Sequence, residues 1–273
     1  MNAVLRIVAP ALALLAFSRP TPAAELKLPR EGWASWQVAA VGGAPAWCCY
    51  SSWRNGKGTP MSCKLDGGTD SYGISDHDAK TDVVNVYARF AAGKVDSLQV
   101  FAASCPVESR TPIQDLGSVA TEDSVRWLVA LARQDGSDAV ARRPIGEGAL
   151  TALAMHRGDV ARDALVDFTH DPRAETRKWS VFWLAMIRGN DPESEKAIGV
   201  VVHNDANDDV REHAVFALSR LPDERATRAL IAVAEDRSLA REQRRRAVFW
   251  LSQSESASAQ AYLEKVLTRA AAN

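Results

Sequence analysis

The stretch GGAPAWCCYSSW (42–53) places Cys48 and Cys49 side by side, and the chain has only two further cysteines, Cys63 and Cys105. Adjacent thiols suit a metal clamp, a redox switch, or two halves of separate disulfides. A second concentration of reactive types is Ser75-Asp76-His77-Asp78, followed by Lys80 and Asp82. It holds the groups of a hydrolytic triad or a small metal site. Triad members rarely stand consecutively, because neighbouring side chains diverge. No G-x-S-x-G elbow or H-E-x-x-H helix accompanies them. The expected reading is a polar loop, with His77 the first place to look if the chain proves to be an enzyme with a site at Asp76, His77 and Asp78.

The compartment decides among the thiol chemistries. The chain opens MNAVLRIVAPALALLAFSRPTPAAE, with Arg6 ahead of an apolar run from Ile7 to Phe17 and small residues up to Ala23. That layout predicts a secretory signal peptide over 1–23. The run is far short of the ~20 apolar residues that span a bilayer, and Pro10 interrupts it. The expected product is exported, periplasmic or extracellular, with no membrane insertion after cleavage. Thiols oxidise there, so four cysteines predict disulfides. A Cys48–Cys49 bond would close a strained eight-membered ring. In an extended segment the two side chains point to opposite faces, so each needs its own partner. Two pairings remain open: 48–63 with 49–105, or 48–105 with 49–63. The absence of a CxxC spacing weighs against a redox sensor at Cys48 and Cys49 and against a metal.

Charge narrows the partners. Thirty-three basic and 34 acidic residues give a net charge of −1, which removes the electrostatic motive for binding nucleic acid. The one basic cluster, Arg241-Glu242-Gln243-Arg244-Arg245-Arg246, reads as a solvated helix face.

From about residue 121 the pattern changes to helical periodicity. WSVFWLAMI (179–187), HAVFALSRL (213–221) and RAVFWLSQS (246–254) align on Leu184, Leu218 and Leu251, 34 and 33 residues apart, and a weaker copy around Leu153 lies 31 residues upstream. A second series starts at Ala164, Ala197, Ala229 and Ala261, spaced 33, 32 and 32, with WLVALARQD (127–135) a divergent first member. Two interleaved series on one period mean that each unit is a helix pair. A pair cannot cover its own apolar stripe, so the pairs must stack.

The segments DPRAETRKWSVFWLAMI, NDDVREHAVFALSRL and AREQRRRAVFWLSQS resemble HEAT repeats of the short bacterial type. Asp209-Val210-Arg211 and Ala214 through Leu218 match best, and Arg177 and Arg246 hold roughly corresponding positions. With WCCYSSW, SCKLD and ASCPV, the whole chain resembles exported bacterial HEAT-repeat proteins of undefined role. The resemblance implies an α-helical solenoid of about four helix pairs over 121–273. Residues 24–120 hold most glycines, and Val84-Val86-Ala88-Phe90 and Leu98-Val100-Ala102 alternate at period two as the arms of a hairpin. They predict a disulfide-stapled β-rich module capping the stack.

In HEAT arrays the second helices line a concave face that grips protein partners. That implies a non-enzymatic, monomeric scaffold without a cofactor, binding a protein through Asp167, His170, His203 and Glu235. His170 and His203 also suit the negative end of a helix dipole. One HEAT family, deoxyhypusine hydroxylase, holds iron through repeated His-Glu pairs; this sequence has no His-Glu dipeptide, so that activity is not implied. Nothing supports the bilin-lyase relatives either. Trp127, Trp179, Trp183 and Trp250 are expected to pack between repeats, or to anchor an interface if they face solvent.

Overall fold

The computed structural model describes residues 26–54, 57–67, 71–73, 79–134 and 145–271. The expected leader (1–23) and the Ser75-Asp76-His77-Asp78 cluster lie outside the described residues. Nine strands are described: β1 (Gly32–Ala39), β2 (Cys48–Arg54), β3 (Lys57–Met61), β4 (Cys63–Lys64), β5 (Ser71–Gly73), β6 (Val83–Ala91), β7 (Lys94–Ala102), β8 (Val107–Glu108) and β9 (Ile113–Ser118). Helices α1 (Thr121–Gln134), α2 (Ile145–Met155), α3 (Asp159–Phe168), α4 (Ala174–Arg188), α5 (Pro192–Asn204), α6 (Asp208–Leu218), α7 (Asp223–Glu235), α8 (Arg241–Ser252) and α9 (Ala257–Ala271) follow.

The main sheet has the order β7-β6-β1-β9. β6 and β7 are the expected hairpin, closed at Ala92-Gly93, where both residues have positive φ (51° and 76°). Such two-residue turns match the twist of paired strands. β1 runs antiparallel to β6 and parallel to β9. Period-two alternation divides its side chains. Trp36, Val38, Val84, Val86 and Val100 join the core shared with the helices, while Trp33, Tyr87 and Phe101 face a second layer holding Cys49, Cys63 and Cys105.

That layer consists of the sheet β3-β2-β5 and the pair β4-β8. Cys48 is bonded to Cys105 and Cys49 to Cys63, with Cα–Cα distances of 5.6 and 5.2 Å. Register selects this pairing. Cys49 stands opposite Met61 across the β2–β3 ladder, which delivers Cys63 two residues later. Cys48, on the other face of the strand, meets the chain leaving β7.

The helices stack in two layers. α2, α4, α6 and α8 touch in succession, and in the second layer α1 meets α3, α3 meets α5, and α7 meets α9. The aligned leucines Leu153, Leu184, Leu218 and Leu251 are all buried, each contributing roughly 1.5–3 kcal/mol. Asp191 and Asn207 accept backbone N–H groups at the starts of α5 and α6, and Pro192 occupies the first turn of α5, where its missing N–H costs nothing.

Sheet and stack share one core, and their junction is polar and largely hydrogen-bonded, with Arg188 Nε left without a partner among the described residues. Val41 N–H donates to Met155 O and Arg157 N–H to Ala39 O, both at 2.8 Å. Beneath these bonds, Trp36 Nε1 donates to Ser124 Oγ at 2.8 Å, Ser124 Oγ lies 2.7 Å from His156 Nε2, and His156 Nδ1 is 2.6 Å from Ala152 O. A carbonyl only accepts, so Nδ1 carries the ring proton and Nε2 accepts from the serine. Arg188, itself buried, donates to His156 O, just past the end of α2, and, at 3.4 Å, to the carbonyl of Gly158, the residue that caps α3. Burial holds the His156 pKa down to about 4; the Ala152 carbonyl opposes this and the Arg188 charge adds to it.

Two predictions follow from this junction. His156 is neutral when folded and binds its proton more readily when unfolded, so stability is intact above about pH 6.5 and falls as the pH drops through 4. The loss is about 3 kcal/mol at pH 4. Denaturant titrations at pH 7 and pH 4 should show that loss in the wild type and a smaller one in His156→Gln. At the α2–β7 contact, a Cβ on Gly148 would lie 2.9 Å from Leu98 O and 3.3 Å from Leu98 Cβ. Since backbone cannot retreat as a flexible side chain does, Gly148→Ala should destabilise by roughly 1–3 kcal/mol, despite alanine's better helix propensity.

Candidate functional site

The three near-verbatim repeat segments place aromatic rings at fixed distances before the aligned leucine. Two positions ahead stand Phe182, Phe216 and Phe249; one ahead stand Trp183, Ala217 and Trp250; five ahead stand Trp179, His213 and Arg246. On a helix, i, i+3 and i+4 share a face, so α4, α6 and α8 each carry a short aromatic row. Stacking joins the rows. Phe182 stacks on Phe216 with centroids 6.2 Å apart, Phe216 meets Trp250 at 5.0 Å, and Phe249 meets Trp250 edge-on at 5.0 Å. Within α4, Phe182 lies 4.9 Å from Trp183 and 5.7 Å from Trp179. The matching positions of α2 are Gly148, Thr151 and Ala152. Trp47, next to Cys48, packs edge-on against Trp183 at 5.6 Å and so extends the row into the stapled layer.

Exposure rises along this ridge. Trp183 is buried; Trp179, Phe182, Phe216 and Trp250 are half-buried; Phe249 is 50% exposed. His213 sits among the rings, 5.5 Å from Phe216. Burial lowers its pKa, with the Lys178 charge adding and Glu175 opposing, which keeps it neutral at pH 7. At its exposed end the ridge meets a groove of about 420 Å³ lined by Ala234, Arg241, Arg244, Arg245, Val248 and Phe249. Arg244 donates to Leu239 O at 2.8 Å and Arg245 pairs with Glu242. Arg241 has no ion-pair partner among the described residues. The basic run thus lines a groove with an apolar wall.

The residues expected on the second helices lie elsewhere. Asp167 is exposed on α3 with His170 just beyond it, His203 is exposed in the last turn of α5, and Glu235 is exposed at the end of α7. His203 is already engaged: Nδ1 lies 2.8 Å from Gly199 O and Nε2 lies 3.1 Å from Asp236. That bond joins His203 to the residue that follows Glu235, while Asp167 and His170 sit one repeat earlier. Between them runs a structural ladder. Arg177 holds Asp205 in a bidentate pair at 2.6 and 2.9 Å and donates to Asp171 O at 2.8 Å. Burial pushes the Asp205 carboxyl up, but the Arg177 hydrogen bonds and charge and the Asn207 N–H more than reverse this and hold it below the usual range. Arg211 donates to Asp205 O and Arg244 to Leu239 O in the same manner. The repeat position of Arg177 is therefore held by Arg211 and Arg244. Arg246, expected there, pairs with Glu212 and Glu242 instead.

All four cysteines are in disulfides, leaving no free thiol. Among the described residues no group of three or more His, Cys, Asp or Glu is arranged to hold a metal. Ser124 and His156 have the spacing of a nucleophile and its base, but both are 0% exposed, under Trp36, so no substrate reaches them. That pair escaped sequence reasoning because its members are 32 residues apart without a motif. The phenylalanine column had a signal, since VF recurs in the three near-verbatim copies.

The gradient along the ridge makes a stability prediction. Trp183→Ala should cost about 3–5 kcal/mol, because it empties a packed site. Phe249→Ser should stay within about 0.5 kcal/mol, as at other exposed positions. Thermal melts of the two variants measure the contrast.

Residues 162–252, from within α3 to the end of α8, match the family model for HEAT repeats. No curated protein matches the chain. Similar solved structures include human deoxyhypusine hydroxylase in complex with glycerol, at 21% identity and TM-score 0.36 over 47% of this chain and 42% of that one. Another is the complex of CpcE and CpcF of phycocyanin lyase from Nostoc sp. PCC7120, at 23% identity and TM-score 0.33 over 47% and 76%. A third is an engineered protein, at 22% identity and TM-score 0.27 over 46% and 60%. This chain spans less than half of the length of the hydroxylase. The helical part of this chain, over residues 162–252, is built of HEAT repeats.

Proposed function

We propose that this chain is an exported, non-enzymatic scaffold that holds a protein partner. The observation that carries the reading is the aromatic ridge on α4, α6 and α8, which grows more exposed from Trp183 to Phe249 and ends beside the arginine-lined groove. Exposed aromatic rings flanked by arginine are the residue types that dominate binding energy at protein interfaces. A rigid stack presents them without an ordering cost on binding. The partner should therefore offer apolar side chains to the ridge and carboxylates to Arg241 and its neighbours. The exported location is supported by the two disulfides, which persist in oxidising compartments. No described helix is long and apolar enough to cross a membrane.

The second-helix row of Asp167, His170, His203 and Glu235 is the competing surface, and one experiment separates the two. A photo-crosslinking residue at position 249 should trap a partner from the exported fraction. In direct binding measurements with that partner, Phe249→Glu should weaken affinity at least ~30-fold, the effect of an interface hot spot. Alanine at Asp167, His170, His203 and Glu235 together should change it little. Unchanged affinity for Phe249→Glu with loss in the fourfold variant would move the site to the second helices, and unchanged affinity in both would remove it from the stack.

A further inference from the structure

A second surface on the molecule is built differently, from the polar side chains of the main sheet. Alternation along β1, β6 and β9 sends Ser35, Gln37, Asn85, Tyr87 and Asp115 to the face opposite the helices. Register then sets them side by side: Ser35 lies opposite both Tyr87 and Asp115, and Gln37 opposite Asn85. The stapled layer covers Tyr87 and the neighbouring Trp33 and Phe101 but leaves Gln37 and Asp115 exposed. It leaves a cleft of about 290 Å³ closed by Cys105, Val107 and Ile113. The Cys48–Cys105 bond fixes that wall in place.

Ser35 and Asn85 are half-buried while Gln37 and Asp115 are exposed, and the side chains of this group bond to one another only in part. Asn85 Nδ2 donates to the Tyr87 hydroxyl at 3.2 Å, and Asn85 Oδ1 is left without a partner among the described residues. The Asp115 carboxylate accepts one bond from Gly117 N–H at 2.8 Å through Oδ1, and Oδ2 has no partner among the described residues. The Ser35 hydroxyl and Gln37 amide make no hydrogen bond to the described residues. Asp115 is the only charged lining residue, and none of the eight is basic. The cleft thus offers hydroxyl and amide groups, which donate or accept, around one negative charge and no positive one, and that charge disfavours phosphates and carboxylates and favours a donor-rich cation.

We infer that this cleft binds a small organic cation, an amine or guanidinium whose N–H groups bridge Asp115, Ser35 and Gln37. Asp115 supplies the charge, and the flanking hydroxyl and amide supply the remaining acceptors. The helical stack takes no part, so the site is independent of the partner-binding ridge.

Titration calorimetry on the full chain with agmatine tests the site, with glucose and acetate as neutral and anionic comparisons. The expected result is saturable binding of agmatine alone, weakened at least tenfold by Asp115→Asn. Asparagine keeps the acceptor for Gly117 N–H, so the β9 turn stays intact. Ser35→Ala, which removes only the hydroxyl, should also weaken binding while leaving the melting temperature close to that of the wild type. The inference is overturned if agmatine does not saturate, if glucose binds as well, or if Asp115→Asn binds agmatine as the wild type does.

Discussion

A helix pair exposes an apolar stripe that it cannot cover, and every other feature of this chain answers to that constraint. Inside the array each pair covers its neighbour, so Leu184, Leu218 and Leu251 are buried by repetition. The first pair has no preceding repeat. Its exposed side is covered by α1 and by a β-sheet whose inner face, from Trp36 to Val100, belongs to the same continuous core as the repeats. The sheet therefore does the work of a missing repeat, and the disulfides sit in the layer farthest from that core, where burial is least able to hold the chain.

The join between two architectures has a polar cost that repeats do not face. Strand and helix backbones meet at Ala39–Val41 and Met155–Arg157, and their hydrogen bonds close the ends of both elements. Below them the chain buries an imidazole, a serine hydroxyl, an indole N–H and an arginine. A buried polar group is tolerated when its partners are present, and this network supplies most of them. It also fixes the orientation of the sheet on the stack more sharply than apolar contacts alone, because each bond has a direction.

Along the array, two columns of side chains divide the work. Arg177, Arg211 and Arg244 tie the carbonyl ends of one helix to the start of the next, holding the spacing between pairs. The aromatic column on the same helices continues from α4 to α8 through the Phe182–Phe216 and Phe216–Trp250 contacts, because equivalent faces meet when similar units stack. Packing uses these rings fully at Trp183 and only half by Phe249. The unused half supports the proposed interface, and the arginines beside it set the chemistry that the partner would need.

Much of this was legible in the residues themselves. The 31–34-residue spacing dictated paired, stacked helices, since one amphipathic unit repeated at a fixed interval has few other ways to bury its stripe. The alternation of Val84 to Phe90 and Leu98 to Ala102 dictated the hairpin. Adjacent cysteines excluded their own bond and left two pairings. What spacing could not contain was distance between remote segments. The β2–β3 register chose 48–105 with 49–63, and the chain path after β9 brought Ser124 under Trp36 and against His156. The stack turned three separate VF pairs into one ridge and placed the arginine run, which reads as an ordinary solvated face, along a groove beside Phe249. Local periodicity fixes which face of an element is apolar, but only the packed chain decides which faces meet and how much of each is left over.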